Sequence, residues 1–309
     1  MHVSFRQLRV FVEVARQGSV QGAAEALHLT PPAVSMQIKE VESQVGLPLF
    51  DRTGRRLSLS TTGEYFLVYA RRLLGTLKEA EDAMARFKGI ESGKLTIGMV
   101  SSAKYFLPQL LAQFHTEHPT VDVRLRLGNR EQLAALMEAN EVDLSVMGRA
   151  PREWPNRAEP FAMHPHVLVT APNHPFAKAE GIPAAALVRE AFIVREQGSG
   201  TRAALEEFLS AHRLQPMFVM ELSSDEAIKQ VVMAGLGVSV VSLHTIGLEW
   251  RNGLIAAPPV EGLPLMRRWH LVNAAAKMLS PAAEAFRYFM LERAEAHLAA
   301  MFGGDMAQA

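Results

Sequence analysis

The sequence predicts a multidomain chain: an all-α N-terminal domain, one long linker helix, and an α/β domain of two lobes. Three observations lead there. Residues 5–46 carry three short amphipathic helical patterns separated by cap and turn signals; residues 61–88 carry one long pattern; beyond residue 94 strand patterns alternate with helical ones. A chain of 309 residues, 49% hydrophobic and 21% charged, has material for two or three compact units with large cores.

The first pattern runs from Phe5 to Arg16, with Leu8, Phe11, Val12 and Ala15 on one face. Ser19 caps a second short helix whose apolar face is Val20, Ala23, Ala24 and Leu27. Thr30 followed by Pro31 restarts the chain as a third helix, because a threonine hydroxyl accepts from an orphan N–H and proline gives up a donor that had no partner. Val34, Ile38, Val41 and Val45 put one wall of that helix in a core. The other wall carries Pro32, Ser35, Met36, Lys39 and Ser43, small or polar groups suited to close approach in a DNA major groove. Leu49 and Phe50 are core anchors, and Arg52, Arg55 and Arg56 form a basic turn leading into the alternating Leu57-Ser58-Leu59-Ser60, the pattern of a winged helix-turn-helix.

This stretch resembles the N-terminal domain of LysR-type transcriptional regulators. The matching residues are Leu8 and Phe11; Ser19, Ala23, Ala24 and Leu27; Ala33-Val34-Ser35, Ile38, Glu42 and Gly46; and Leu49-Phe50, Arg52 and Thr62-Gly63. The resemblance implies a double-stranded DNA operator as partner. The residues expected to face it are Ser19, Gln21, Thr30, Pro32, Ser35, Met36, Lys39, Arg52, Arg55 and Arg56. Pro31 stands where the family usually has glutamine, so target-sequence details do not carry over. Net charge is zero, and residues 1–60 hold only seven Lys/Arg against five Asp/Glu. DNA binding is therefore expected to rest on geometry and subunit pairing more than on bulk charge.

Thr61-Thr62-Gly63-Glu64 reads as a capping box opening the linker helix. Phe66, Ala70, Leu73, Leu77, Ala80, Met84 and Phe87 then recur at alternating steps of four and three, a heptad seam. Phe66, Leu73, Leu77 and Met84 are the expected dimer contacts, since a DNA-binding domain needs a twofold partner to read two half-sites. The expected domains are residues 1–60 for DNA binding, 61–89 for dimerisation and 90–309 for an effector, with Gly89 to Lys94 as hinge.

The last domain reads as strand LTIGMV, a helix from about Tyr105 to Glu117, strand VDVRLRLG, a helix from Arg130 to Asn140, and strand DLSVMG. A second set comes after it: strand PHVLVTA (Pro165 to Ala171), a short helix from Ala184 to Arg189, strand AFIVRE, and a helix opened by GSGTR. MFVMEL, the helix Asp225 to Ala234 and VSVVS complete it. RRWHLVN and a final helix from Pro281 return late, so the chain leaves one lobe, builds another and crosses back. Lobe I is expected at about residues 95–163 and 267–303, and lobe II at about 165–266. Two such lobes around a cleft are the periplasmic-binding-protein-like receptor that LysR-type regulators carry, so the resemblance covers nearly the whole chain.

Open α/β sheets bind ligands at strand-to-helix turns. Three such regions stand out: Ser101, Ser102 and Lys104; Gly198-Ser199-Gly200-Thr201-Arg202; and the strand ends Asn129-Arg130 and Gly148-Arg149. The glycine-rich turn joins free N–H groups, hydroxyls and a guanidinium at a helix start, a combination suited to an anion. GNRE, MGRAPRE, HPHVLV, REQGSGTR, EAIKQVVMAGLGVS and SLHT most resemble the Calvin-cycle (RuBisCO operon) regulators of the family. That resemblance implies control of carbon-fixation genes through a phosphorylated metabolite or NADPH; a carboxylate effector of another pathway is the alternative. It also implies a homodimer, paired into a homotetramer, with RNA polymerase as a further partner.

No Ser-His-Asp or paired-carboxylate motif suggests an enzyme, and no cofactor or metal is expected. His164 and His166, set among prolines, read as a structural strand end. A solute receptor without a DNA role is opposed by residues 1–60 and by a start lacking a signal-peptide pattern. The absence of cysteine and of a membrane-length apolar run fits a cytoplasmic protein.

Overall fold

The computed structural model describes residues 2–53, 56–86 and 93–306. The chain divides into two compact units, residues 1–87 with 139–141, and residues 88–138 with 142–309. No helix among the described residues is long and apolar enough to cross a membrane.

The first unit opens with α1 (Phe5–Gln17), where Ser4 and Gln7 form a reciprocal capping box. α2 (Val20–Leu27) is capped by Ser19, and α3 (Pro31–Val45) by Thr30. Gly46 ends α3 in the left-handed region, φ 79°, a conformation glycine adopts without a Cβ clash. Leu8, Phe11, Val14, Ala23, Ala24, Val34, Ile38, Val41 and Leu49 are buried together as one core. Phe11 sits centrally, its ring 5.3 Å from Phe50 and 5.0 Å from Phe66. Burying one such ring stabilises by about 1.5–3 kcal/mol.

The wing is an antiparallel hairpin of β1 (Phe50–Thr53) and β2 (Arg56–Leu59). Glu42 ties its start to α3, accepting from the N–H of Leu49 at 2.9 Å and of Phe50 at 3.2 Å. Arg55 lies outside the described residues, as do the side chains of Arg52 and Arg56 and the hinge residues 89–92.

α4 (Thr61–Arg86) departs from expectation at both its cap and its face. Ser60, not Thr61, caps it, its hydroxyl accepting from the N–H of Gly63 at 3.0 Å. Thr62 instead donates to the Pro48 carbonyl at 2.5 Å. Gly63 passes so close to the Leu49 carbonyl that a Cβ would stand 1.9 Å from its oxygen. Phe66 is not a seam residue: with Leu67, Ala70 and Leu74 it packs onto the domain's own core. The exposed apolar stripe is Tyr65, Val68, Tyr69 and Leu73, with Met84 beyond it, while Leu77 is half-buried.

The second unit begins with β3 (Gly93–Met99), α5 (Leu107–Glu117), β4 (Val121–Leu127), α6 (Arg130–Glu138) and β5 (Leu144–Met147). The helix expected from Tyr105 splits: residues 101–105 form a 3-10 turn, and α5 restarts with a proline in its first turn. β6 (Asn156–Val169) is a 14-residue strand, longer than the seven residues expected. β7 (Ala191–Arg195), α7 (Gly200–Ala211), β8 (Met217–Leu222), α8 (Asp225–Met233), β9 (Ser239–Ser242) and α9 (Gly247–Arg251) come next. β10 (Leu265–Ala274) and α10 (Pro281–Met306) close the chain.

Six strands form one sheet in the order β4-β3-β5-β10-β6-β9, and β7 pairs β8 separately in parallel. β3, β4 and β5 are parallel, while β10 runs antiparallel to both β5 and β6. Lobe I is built on β3–β5 with α5, α6 and α10, around Trp269, Phe106, Phe114 and Phe286. Lobe II is built on β7–β9 with α7 and α8, around Phe192, Phe208, Ile193 and Ile228. β6 and β10 pass continuously between them, so the boundary expected at residues 163–165 and 266–267 falls inside strands.

Candidate functional site

Two sites emerge, one in each unit. In the first, α3 presents Pro32, Met36 and Lys39 outward, Met36 with 65% of its surface exposed, and Ser35 beside them half-exposed. Gln21 is exposed on α2. Ser19 and Thr30 are occupied as caps, accepting from the N–H of Gly22 at 3.0 Å and of Ala33 at 3.4 Å. A large exposed methionine beside a lysine, on a helix whose opposite face is core, leaves a protruding wall free for a groove.

In the second unit a cavity lies between the lobes, with an empty volume of about 440 Å³ including its mouth. Lobe I contributes Val100, Ser101, Ser102, Asn129, Arg130, Met147, Gly148 and Arg149. Lobe II contributes Arg195, Ser199, Gly200 and Thr201, and the crossing strands contribute His164, His166 and Arg267. The turn after β3, the start of α6, the end of β5 and the start of α7 thus converge, as the strand-to-helix rule requires.

Nine of the twelve residues expected in the effector site line this cavity; Lys104, Gly198 and Arg202 do not. Arg202 is turned into lobe II. Its Nε donates to Glu206 at 2.7 Å, and its Nη1 donates to Glu221 at 2.7 Å and to the Arg195 carbonyl at 2.9 Å. Its guanidinium also covers the Phe218 ring. Lys104 lies 4.0 Å from Glu226 and over the Tyr105 ring. Gly198 makes the turn, φ 80°, packed so that a Cβ would stand 2.7 Å from a Glu131 carboxylate oxygen.

Several lining groups already have partners. The Ser101 hydroxyl donates to Asp225 at 2.7 Å, and the same carboxylate takes Arg195 Nη1 at 2.5 Å, so Asp225 ties a lobe I turn to a lobe II strand. Asn129 and Gln132 cap α6 reciprocally, each side chain accepting from the other's N–H. Ser199 caps α7, and its hydroxyl accepts from the N–H of Arg202. Arg149 and Arg267 share Glu207, at 3.8 and 2.5 Å, and Arg130 pairs with Glu153 at 3.3 Å.

Sequence reasoning missed Arg195, Arg267 and the histidines as cavity residues. His164 and His166 are no strand end: they stand on one face of β6, with the His164 ring stacked 3.7 Å over Trp269. His164 Nε2 lies 2.9 Å from the Ser242 hydroxyl, and its Nδ1 stands where a Cβ on Gly148 would come within 2.6 Å. Burial, reinforced by neighbouring histidines and Arg267, holds His164 well below the usual histidine range. His166 is pushed to about 3, chiefly by burial and then by Arg267, and His244 by burial to about 4. Burial also pulls Arg267 below its ordinary value. An alternating His-Pro-His in a strand pattern was the available signal, since it puts two imidazoles on one face.

Comparison with known proteins shows the same division. Residues 5–64 match the profile of the bacterial regulatory helix-turn-helix proteins of the lysR family, and residues 88–295 that of the LysR substrate binding domain. The chain is 48% identical over 304 residues to the HTH-type transcriptional regulator CfxR of Cupriavidus necator, covering 98% of this chain and 96% of that one. It is 45% identical over 294 residues to the RuBisCO operon transcriptional regulator of Allochromatium vinosum, covering 95% and 97%. Among solved structures, the Synechocystis PCC6803 CcmR regulatory domain in complex with 2-PG is 36% identical, with a TM-score of 0.63 over 65% of this chain and 96% of that one. Full-length CbnR complexed with its target DNA has a TM-score of 0.67 at 22% identity, over 93% of this chain and 98% of that one, a likeness of fold.

Proposed function

The chain belongs to the LysR family of bacterial transcriptional regulators, and we propose that it controls a carbon-fixation operon by sensing a small phosphorylated acid between its lobes. It binds DNA and is a regulator, not an enzyme. Residues 1–60 read the operator through Pro32, Ser35, Met36 and Lys39. Residues 61–89 pair two protomers, and pairs of dimers form the tetramer. Residues 90–309 sense the effector and present a surface to RNA polymerase.

One observation carries the effector reading. Four arginines, Arg130, Arg149, Arg195 and Arg267, line the cavity, and no carboxylate is among its described lining residues. The first N–H groups of α7 open onto the same space through Gly200 and Thr201, adding the partial positive charge of a helix start. Arginine forks match phosphate and carboxylate geometry. The whole empty space, open mouth included, is only about 440 Å³, which favours a small acid over NADPH. The similar CcmR domain, described in complex with 2-PG, supports a two- or three-carbon phosphorylated acid such as 2-phosphoglycolate.

Binding across the cleft supplies the switch. A ligand held by Ser102 and Arg149 of lobe I and by the α7 start of lobe II has more contacts when the lobes close, and only such a difference shifts a population. Calorimetry with 2-phosphoglycolate tests this on the full chain. Arg267→Ala is expected to weaken binding about ten- to a hundredfold, the loss of one charge-assisted bond. Footprints of the DNA beside the gene without effector stay as in the unaltered protein. Equal affinity in Arg267→Ala and the unaltered chain would remove this cavity as the effector site.

A further inference from the structure

The cavity is almost entirely a field of donors. Arginine forks, the α7 N–H groups and the hydroxyls other than that of Ser101, which donates to Asp225, offer hydrogens to an anion's oxygens. One buried atom has the opposite character. The His166 ring, 1% exposed, lines the cavity on β6, and its Nε2 is shielded from solvent with no hydrogen-bond partner in the protein. Its Nδ1 lies 3.2 Å from the His164 carbonyl oxygen. A carbonyl only accepts, so Nδ1 carries the hydrogen; in a neutral ring Nε2 is then a lone-pair acceptor.

The surroundings keep the ring neutral. Arg267 from β10, His164 on the same strand and His244 after β9 face it, with Arg149 across the cavity. An imidazolium here would stand beside cations in a desolvated wall. His164 offers no equally fixed group: its Nε2 meets the Ser242 hydroxyl, which either donates or accepts, so the character of Nδ1 stays open.

We propose that His166 makes this cavity select for a ligand hydroxyl, so that the preferred effector is a small phosphorylated acid that also bears a free hydroxyl group. The proposal rests on the phosphorylated-acid reading above and narrows it. An anion made only of acceptor oxygens satisfies the arginines but leaves Nε2 as unmet as it is in the free protein, so the cost of that buried acceptor persists. A hydroxyl on the ligand's carbon skeleton supplies that donor. Sites that hydrogen-bond a substrate hydroxyl discriminate strongly against the analogue lacking it.

Calorimetry on the full chain with matched probes tests this. The probes are 3-phosphoglycerate, its deoxy analogue 3-phosphonooxypropanoate, and 2-phosphoglycolate. The unaltered protein is expected to bind 3-phosphoglycerate at least about tenfold more tightly than the deoxy analogue. His166→Phe, which keeps a ring and removes the acceptor, brings the ratio to about one. His166→Gln, whose side-chain carbonyl accepts, retains part of the preference and carries the comparison if the phenylalanine variant does not fold. Titrations at pH 8 in buffers of different ionisation enthalpy should show no proton uptake attributable to His166.

Equal affinities in the unaltered protein, a ratio unmoved by His166→Phe, or uptake of a proton that His166→Gln abolishes would each overturn the proposal. Binding of 2-phosphoglycolate with neither three-carbon acid bound overturns it while leaving the phosphorylated-acid reading intact. No binding by any of the three overturns both.

Discussion

Arg202 and Arg267 differ only in surroundings, and those surroundings assign them different roles. Ser199 caps α7, so Thr201 and Arg202 are its second and third residues, and about 100° of helical turn separates their directions. Thr201 faces the cavity; Arg202 cannot also do so, and finds Glu206 and Glu221 in lobe II. Arg202→Ala should therefore lower the receptor domain's stability by about 1–3 kcal/mol in urea denaturation. Effector affinity of the folded protein should stay within about twofold. A tenfold loss of affinity without a loss of stability would return Arg202 to the site. The glycine-rich turn was legible because its chemistry is local. Arg195, Arg267, His164 and His166 were not, because strand pairing, not spacing, brings them together. The histidines also set a pH dependence. An unfolded chain protonates histidine near pH 6.5, whereas folded His166 and His244 do so only near 3 and 4. Both pKa values are depressed, so the stability these groups contribute is full above about pH 6.5 and falls as pH drops toward 4. The slope reaches about 1.4 kcal/mol per pH unit for each group. Denaturation at pH 7.5, 6 and 5 measures it, and a flat profile would mean the rings are not held neutral.

Among elements, helices announced themselves and two features did not. Ser60, Thr61 and Thr62 present hydroxyls in a row, and only the approach of Leu49 and Pro48 decides that Ser60 caps α4. β6 was read short because Pro160 and Pro165 interrupt its pattern. β6 pairs with β9 only from His166 onward, so both prolines fall where one side of the strand has no partner and no N–H is missed. The apolar spacing of α4 was legible, but not which of its faces the domain would claim. Phe66, Ala70 and Leu74 turn inward, leaving Tyr65, Val68, Tyr69 and Leu73 outside. Leu73→Glu should thus abolish dimer mass in light scattering with α-helical content unchanged, since a charge in an apolar seam must be desolvated or force the helices apart. Phe66→Ala should instead cost about 2–3 kcal/mol of stability, less than a fully buried ring, and leave the dimer intact. A dimeric Leu73→Glu protein would place the pairing surface elsewhere.

For the molecule as a whole, the alternation of strands and helices and the late return to lobe I were legible from the order of patterns alone. The sharing of β6 and β10 by both lobes was not, since a strand pattern carries no address. That sharing has a consequence during synthesis. β10 occupies the place between β5 and β6 in the sheet, yet residues 148–264 are made between the end of β5 and its start. At roughly 5–20 residues per second, the exposed edge of β5 waits about 6–23 s for its neighbour. α10, whose Phe286 and Phe289 cover the lobe I core, arrives later still. Ribosomes stalled at residue 260 should therefore carry a protease-resistant fragment ending near residue 86 and a readily digested segment 93–147. Stalling beyond residue 309 should protect both, and early protection of 93–147 would show that lobe I folds without its closing strand. The helix-turn-helix is ready within moments of leaving the ribosome, whereas lobe I is the first half of the sensor to be made and the last to be finished.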